Sequence, residues 1–212
     1  MQTVATLLNL ACGRQALADD DSRAKRLQIV IGGMLASLLL SSLWGLAAGS
    51  GDLALALANV YKLPMVVLLS TLSALPAGLL AWKLVGARYR ASELLASYSS
   101  GILSGTMVLA VLSPLVALYY HSSQWAGPVL AMGTVFLALI VASVIFIRGL
   151  VSRVKDEASK ISYLLPIVVV LVMLLATLVQ LIALASPILP ELTVFDGGLD
   201  RMIQSGGHLV TP

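Results

Sequence analysis

The sequence predicts an all-α membrane protein: a polytopic bundle of five transmembrane helices. Three observations point there. Of 212 residues, 59% are hydrophobic and only 11% are charged, against roughly 25% charged in soluble domains. The apolar residues gather in runs long enough to cross about 30 Å of hydrocarbon. The basic residues fall in short clusters between those runs, which is how Lys and Arg distribute along a membrane chain. A net charge of +3 without a basic face excludes a nucleic-acid binder.

Residues 1–26 form a polar, mixed-charge segment in which Val4, Leu7, Leu8 and Ala11 share helical spacing, as in a short amphipathic helix lying on a membrane. Asn9-Leu10-Ala11-Cys12-Gly13 looks loosely like a bacterial lipoprotein cleavage site. The start lacks the basic residues and long apolar core of a processed signal, so Cys12 is read as an ordinary cysteine. As the single cysteine, it permits no intrachain disulfide. Asp19-Asp20-Asp21-Ser22 offers N-caps for the first apolar run.

The transmembrane domain is expected over residues 27–187. Its first span, 27–48, has no internal charge and ends at Gly49-Ser50-Gly51-Asp52. Leu53 to Val60 is apolar but too short to cross alone, and with Tyr61-Lys62 it reads as an interfacial helix. The second span, 63–82, carries Pro64 in its first turn and Pro76 inside. Proline removes a backbone donor, so Pro76 should kink this span and Pro114 the third. After the basic turn from Lys83 to Arg90, no Asp, Glu, Lys or Arg occurs between Leu94 and Ile147. Tyr119 to Trp125 is the polar, aromatic break within it, dividing a third span, 97–119, from a fourth, 125–147. A second charged turn, 148–160, precedes the fifth span, 161–187. Residues 188–212 form an external C-terminal tail.

Charge sets the orientation. An N-terminus in the cytoplasm places eleven Lys and Arg on that side and leaves Lys62 and Arg201 opposite, the bias of a cytoplasmic membrane. The expected location is a bacterial inner membrane, with the C-terminus periplasmic or extracellular.

Candidate chemistry is thin. The five expected spans contain no Asp, Glu, Lys, Arg or His, whereas ion-coupled transporters and proton pumps place such groups within the membrane. His121 and His208 fall outside the spans, which leaves no haem or metal ligand pair, and no cofactor is expected. Ser97, Ser99, Ser100, Ser104 and Ser113 have no acid or base nearby in their span, so they read as packing and hydrogen-bonding residues, not nucleophiles. Gly101 and Gly105, like Gly45 and Gly49, have the small-xxx-small spacing that lets helices approach closely. Gln180 reads as a buried amide joining helices. Leu192, Phe195, Leu199, Met202 and Ile203 supply apolar contacts for a tail that either docks on a partner or stays in solvent.

The stretches Tyr61-Lys62-Leu63-Pro64, Leu75-Pro76, Val111-Leu112-Ser113-Pro114 and Gln180 to Pro190 resemble the bacterial five-span members of the Yip1-like membrane family. The likeness covers most of residues 27–190. It implies a five-span bundle; eukaryotic members are associated with vesicle trafficking and Rab-type GTPases, and no catalytic residue carries over.

Together these readings lead to a non-catalytic subunit that anchors, caps or assembles a larger membrane complex. Its partners would be membrane lipids and other membrane proteins, in a hetero-complex or a homo-oligomer. The alternative is a channel or carrier for a small neutral solute or lipid, gated at Pro76 and Pro114. A carrier should have a polar cavity between helices, a scaffold a filled interior and a flat apolar face.

Overall fold

The computed structural model describes residues 23–51, 53–87, 89–122, 126–152 and 160–185. They form five helices: α1 Arg23–Ala48, α2 Leu53–Leu84, α3 Ala91–Ser122, α4 Ala126–Val151 and α5 Lys160–Ala185. All five are long and apolar enough to cross a membrane, and no strand occurs among the described residues. The tail residues Leu192, Phe195, Leu199, Met202 and Ile203, and the amphipathic stretch before Arg23, lie outside the described residues.

Burial runs opposite to that of a water-soluble protein. Ser37, Ser41, Ser97, Ser99, Ser100, Ser104 and Ser113 are buried, while Leu27, Ile31, Leu35, Leu39 and Leu43 form an exposed stripe along α1. In water such a stripe would be driven inward. In lipid, leucine gains nothing by leaving the surface, and small residues take the contacts because they let backbones approach. This pattern marks an integral membrane protein.

One expected boundary is corrected. Leu53–Val60 is not a separate interfacial helix: it continues into the second span as one 32-residue helix. The Leu-Ala-Leu-Ala-Leu-Ala start consists of strong helix formers, and nothing in Tyr61-Lys62 stops it. Pro64 therefore sits well inside α2, not in its first turn. The helix is about 48 Å long, more than hydrocarbon requires. Pro76 and Pro114 likewise lie within unbroken helices. α3 begins at Ala91 and runs to Ser122, longer at both ends than the expected span.

Gly86 ends α2 with φ of 64°. The Ala87 amide donates to the Trp82 carbonyl and the Gly86 amide to that of Lys83, each at 3.2 Å. This pair closes the last turn, and it needs the left-handed residue that glycine supplies at least cost.

The helices form a row in the order α4–α3–α1–α2–α5, each packed extensively on the next. The chain thus passes from α2 on one side of α1 to α3 on the other. The row curls, so that α4 and α5, its two ends, also touch over a limited area. They meet near their basic ends, where Phe146 and Leu150 of α4 join Ile167, Val170 and Leu174 of α5 around Tyr98 and Leu94 of α3.

Candidate functional site

Glycine seams hold the row together. A Cβ at Gly49 would lie 2.5 Å from the Ala56 Cα, and one at Gly45 would strike the Asn59 backbone. α1 and α2 therefore touch nearly backbone to backbone. On the other side, a Cβ at Gly101 would stand 2.6 Å from the Ala142 carbonyl oxygen, and one at Gly105 2.9 Å from that of Ala138. The contacts of all four are internal to the chain. A third seam lies beyond those expected from the sequence: a Cβ at Gly78 of α2 would overlap the Val170 side chain of α5. Its signal is present in the chain, since Ser70, Ala74 and Gly78 recur every fourth residue.

Side-chain hydrogen bonds also join the helices. Ser99 Oγ donates to the Val30 carbonyl at 3.2 Å, Tyr98 Oη to Thr71 Oγ1 at 3.3 Å, and Trp44 Nε1 to Thr134 Oγ1 at 3.2 Å. Several hydroxyls instead bond back to their own helix: Ser104 to Ser100, Ser113 to Leu109 and Ser37 to Gly33. Gln180, expected between helices, is exposed on α5.

Where α4 and α5 part, the curled row leaves a cleft of about 260 Å³. All five helices line it. Trp44, Leu63, Val66 and Ser70 come from α1 and α2; Thr106 and Leu109 come from α3. Phe136 and Leu139 of α4 face Leu175 and Leu178 of α5 across it. Phe136, Leu175 and Val179 line the cleft and are exposed, and α4 and α5 touch over only a limited area, so the cleft opens sideways between α4 and α5. Its wall is almost wholly apolar. Thr106 Oγ1 is occupied with the carbonyls of Ile102 and Leu103. Ser70 Oγ, in contrast, is buried without a partner.

Within the turn that precedes Leu63, toward the end of the bundle away from the basic turns, two polar residues are enclosed. Asn59 is 0% exposed and neither of its side-chain atoms has a hydrogen-bond partner. Lys62 is 4% exposed. From the sequence, Lys62 is expected at the outer membrane surface, closing a short interfacial helix, because the second span is expected to begin after it. The unbroken helix carries it inward, about 13 Å from Leu53 along the axis. Among the described residues the single acidic side chain is Glu93, at the opposite end of the bundle in the first turn of α3.

At that opposite end, Trp82 Nε1 donates to the Tyr89 carbonyl at 3.0 Å and packs edge-on against its ring. The Tyr89 hydroxyl is pushed up to about 12, by burial first and by the charge of Glu93 second. His121 is exposed at the end of α3. No group of three His, Cys, Asp or Glu able to hold a metal occurs among the described residues. No family model, no curated protein and no solved structure matches this chain.

Proposed function

We propose that this chain is a non-catalytic membrane protein that works by holding an apolar membrane component in the cleft between α4 and α5. The observation that carries the reading is the cleft itself: about 260 Å³, open sideways, with a nearly unbroken apolar wall. Apolar cavities of this order stay dry and take up apolar guests. A hydrophilic solute would surrender its hydration there at several kcal/mol per unpaired group. The cleft is neither the polar cavity expected of a solute carrier nor the filled interior expected of a scaffold, and its apolar wall supports only the lipid form of the second reading. The orientation with the N-terminus in the cytoplasm of a bacterial inner membrane is part of the same proposal, supported by the eleven-to-two division of basic residues.

The test is native mass spectrometry of the protein purified in mild detergent. A lipid adduct is expected on the intact chain. It should disappear in Val66→Trp and in Leu178→Trp, which fill the cleft from opposite walls, while size and helix content stay unchanged. Adducts equal in all three proteins would sink the reading.

The first reading, a subunit of a larger membrane complex similar to the five-span Yip1-like family, is favoured by a different observation. Gly32 of α1 and Gly133 of α4 have nothing within 4 Å of an added Cβ. Glycines on outward faces suit the close approach of another helix. Co-purification of a stoichiometric partner that is lost in Gly133→Leu would support it.

A further inference from the structure

We infer that the guest is an anionic phospholipid, its chain in the cleft and its head group held by Lys62 and Asn59 of α2. The inference rests on the cleft reading above and adds the polar half of the ligand.

Asn59, Leu63, Val66 and Ser70 follow one another at intervals of four, three and four along α2, and Lys62 precedes Val66 by four, which places all five on one broad face of the helix. Leu63, Val66 and Ser70 of that face line the cleft. Asn59 and Lys62 continue the face toward the end of the bundle, beyond the last lining residue. The stripe therefore runs from apolar to polar in the direction a lipid does, from chain to head.

The polar end is unsatisfied. Asn59 is fully buried with neither amide atom bonded, although buried side-chain polar atoms are seldom left unpaired. Lys62 is enclosed, and no described carboxylate lies at its end of α2. Ionisable residues enclosed at membrane depth are rare and pair with something, and such residues mark functional sites. Pro64 adds to the local polarity. It carries no N–H, so the Val60 carbonyl receives no helical hydrogen bond from it. The Lys62 ammonium donates to a phosphate oxygen, and the Asn59 carboxamide one turn away donates to an ester neighbour once the head group displaces the side chains that cover it. The carboxamide oxygen and the Val60 carbonyl accept from head-group hydroxyls.

Geometry selects a lipid over a free anion. The polar pair lies on the face of α2 that walls the apolar cleft, next to its last lining residue Leu63, and a free phosphate would leave that cleft empty. Charge selects an anionic lipid over a zwitterionic one, since a choline or ethanolamine cation would bring a second positive charge to Lys62.

The experiment is competition between phosphatidylglycerol and phosphatidylcholine of identical chains, read by native mass spectrometry on the full chain in detergent. The wild type should prefer phosphatidylglycerol by about tenfold, the weight of one charged hydrogen bond. Lys62→Gln should remove the preference yet keep a lipid bound, and Lys62→Arg should restore it. Equal occupancy by both lipids in wild type and Lys62→Gln overturns this inference while leaving the cleft reading standing. No retained lipid in any protein overturns both. Asp52 or a tail carboxylate is the competing partner for Lys62. If Asp52→Asn alone, or Glu191→Gln, Asp196→Asn and Asp200→Asn together, lower thermal stability in lipid-free detergent as much as Lys62→Gln does, that carboxylate is the partner and the inference falls.

Discussion

The two ends of this bundle solve the same packing problem in opposite ways. Toward the basic turns, α4 and α5 close the row around an aromatic plug. Tyr98 meets Phe146 edge to face at 6.0 Å and 81°, with Leu94, Leu150 and Val170 fully enclosed about them. The void left among Tyr98, Gly101, Phe146 and Val170 is about 10 Å³, no more than one water occupies. Toward the other end the same helices diverge and leave 260 Å³. Composition does not explain the difference, because both halves are walled by leucine, valine and phenylalanine. Placement does: in the closed half the large rings point between α3, α4 and α5, whereas Phe136 of α4 lies at the cleft mouth, 58% exposed. A bundle in lipid lacks a hydrophobic force to close such a gap, so it stays open unless shape complementarity fills it.

The largest effect is expected at the seam that both halves share. Leucine at Gly101 and Gly105 together must push α4 away from α3, because each Cβ would meet a backbone oxygen at under 3 Å and backbone cannot rotate aside. A loss on the order of 4 kcal/mol or more should appear as failure to recover monodisperse protein. A double variant with an unchanged melting temperature would show that the seam gives way without cost.

The next test sets the two halves directly against each other. Phe146→Ala and Phe136→Ala remove the same ring from the same helix. The first empties a packed site and should cost about 3 kcal/mol. The second widens a cleft already open and should cost about 0.5 kcal/mol or less. Equal losses in thermal unfolding would mean that the cleft is filled by protein in the native assembly and that the contrast between the halves is not real.

Much of the closed half is legible in the sequence and little of the open half is. The five apolar runs give the helix count, and the glycine pairs at 45/49 and 101/105 give the positions of two seams. The order α4–α3–α1–α2–α5 cannot be read, because lipid-facing and protein-facing sides are both apolar and leave no amphipathic period to follow. Gln180 illustrates the same limit: polarity alone puts it between helices, while it is exposed on α5. The cleft itself leaves no trace, since a gap is made by side chains that fail to meet. Lys62 is illegible for a different reason. Tyr-Lys-Leu-Pro reads as an interface and then a helix start, yet Leu53 to Tyr61 has too strong a helical preference to stop before Pro64. An enclosed charge thereby looks like an external one.

A smaller effect is expected where α2 and α3 touch in the closed half. Tyr98→Phe removes the hydrogen bond to Thr71 but keeps the ring against Phe146, and Thr71 Oγ1 retains its bond to the Val67 carbonyl at 2.8 Å. With no polar atom stranded, the loss should be about 0.6 kcal/mol, the average for such bonds within membranes. A loss as large as that of Phe146→Ala would assign the closure of this half to the hydroxyl and not to the rings.

The smallest effect at neutral pH, and the one that isolates a single hydroxyl, belongs to Tyr89 at the α2–α3 turn. Its ring closes the basic end against Trp82, but its hydroxyl is buried with no hydrogen-bond partner. Removing an unpaired polar atom while keeping the ring is nearly neutral or slightly stabilising, so Tyr89→Phe should melt at or just above the wild type at pH 7. The two proteins should separate only in alkali. Burial, and then Glu93, hold the folded hydroxyl up to about 12, against about 10 in an unfolded chain. The contribution of the neutral hydroxyl is therefore complete below pH 10. It is lost as pH rises from 10 toward 12, where the unfolded state ionises first. Wild type should lose stability across that window faster than Tyr89→Phe, measured as the difference between their melting temperatures at pH 9 and pH 11. A difference that does not change with pH would mean that the hydroxyl is hydrated in the folded protein and that the basic end is less tightly closed than its aromatic pair suggests.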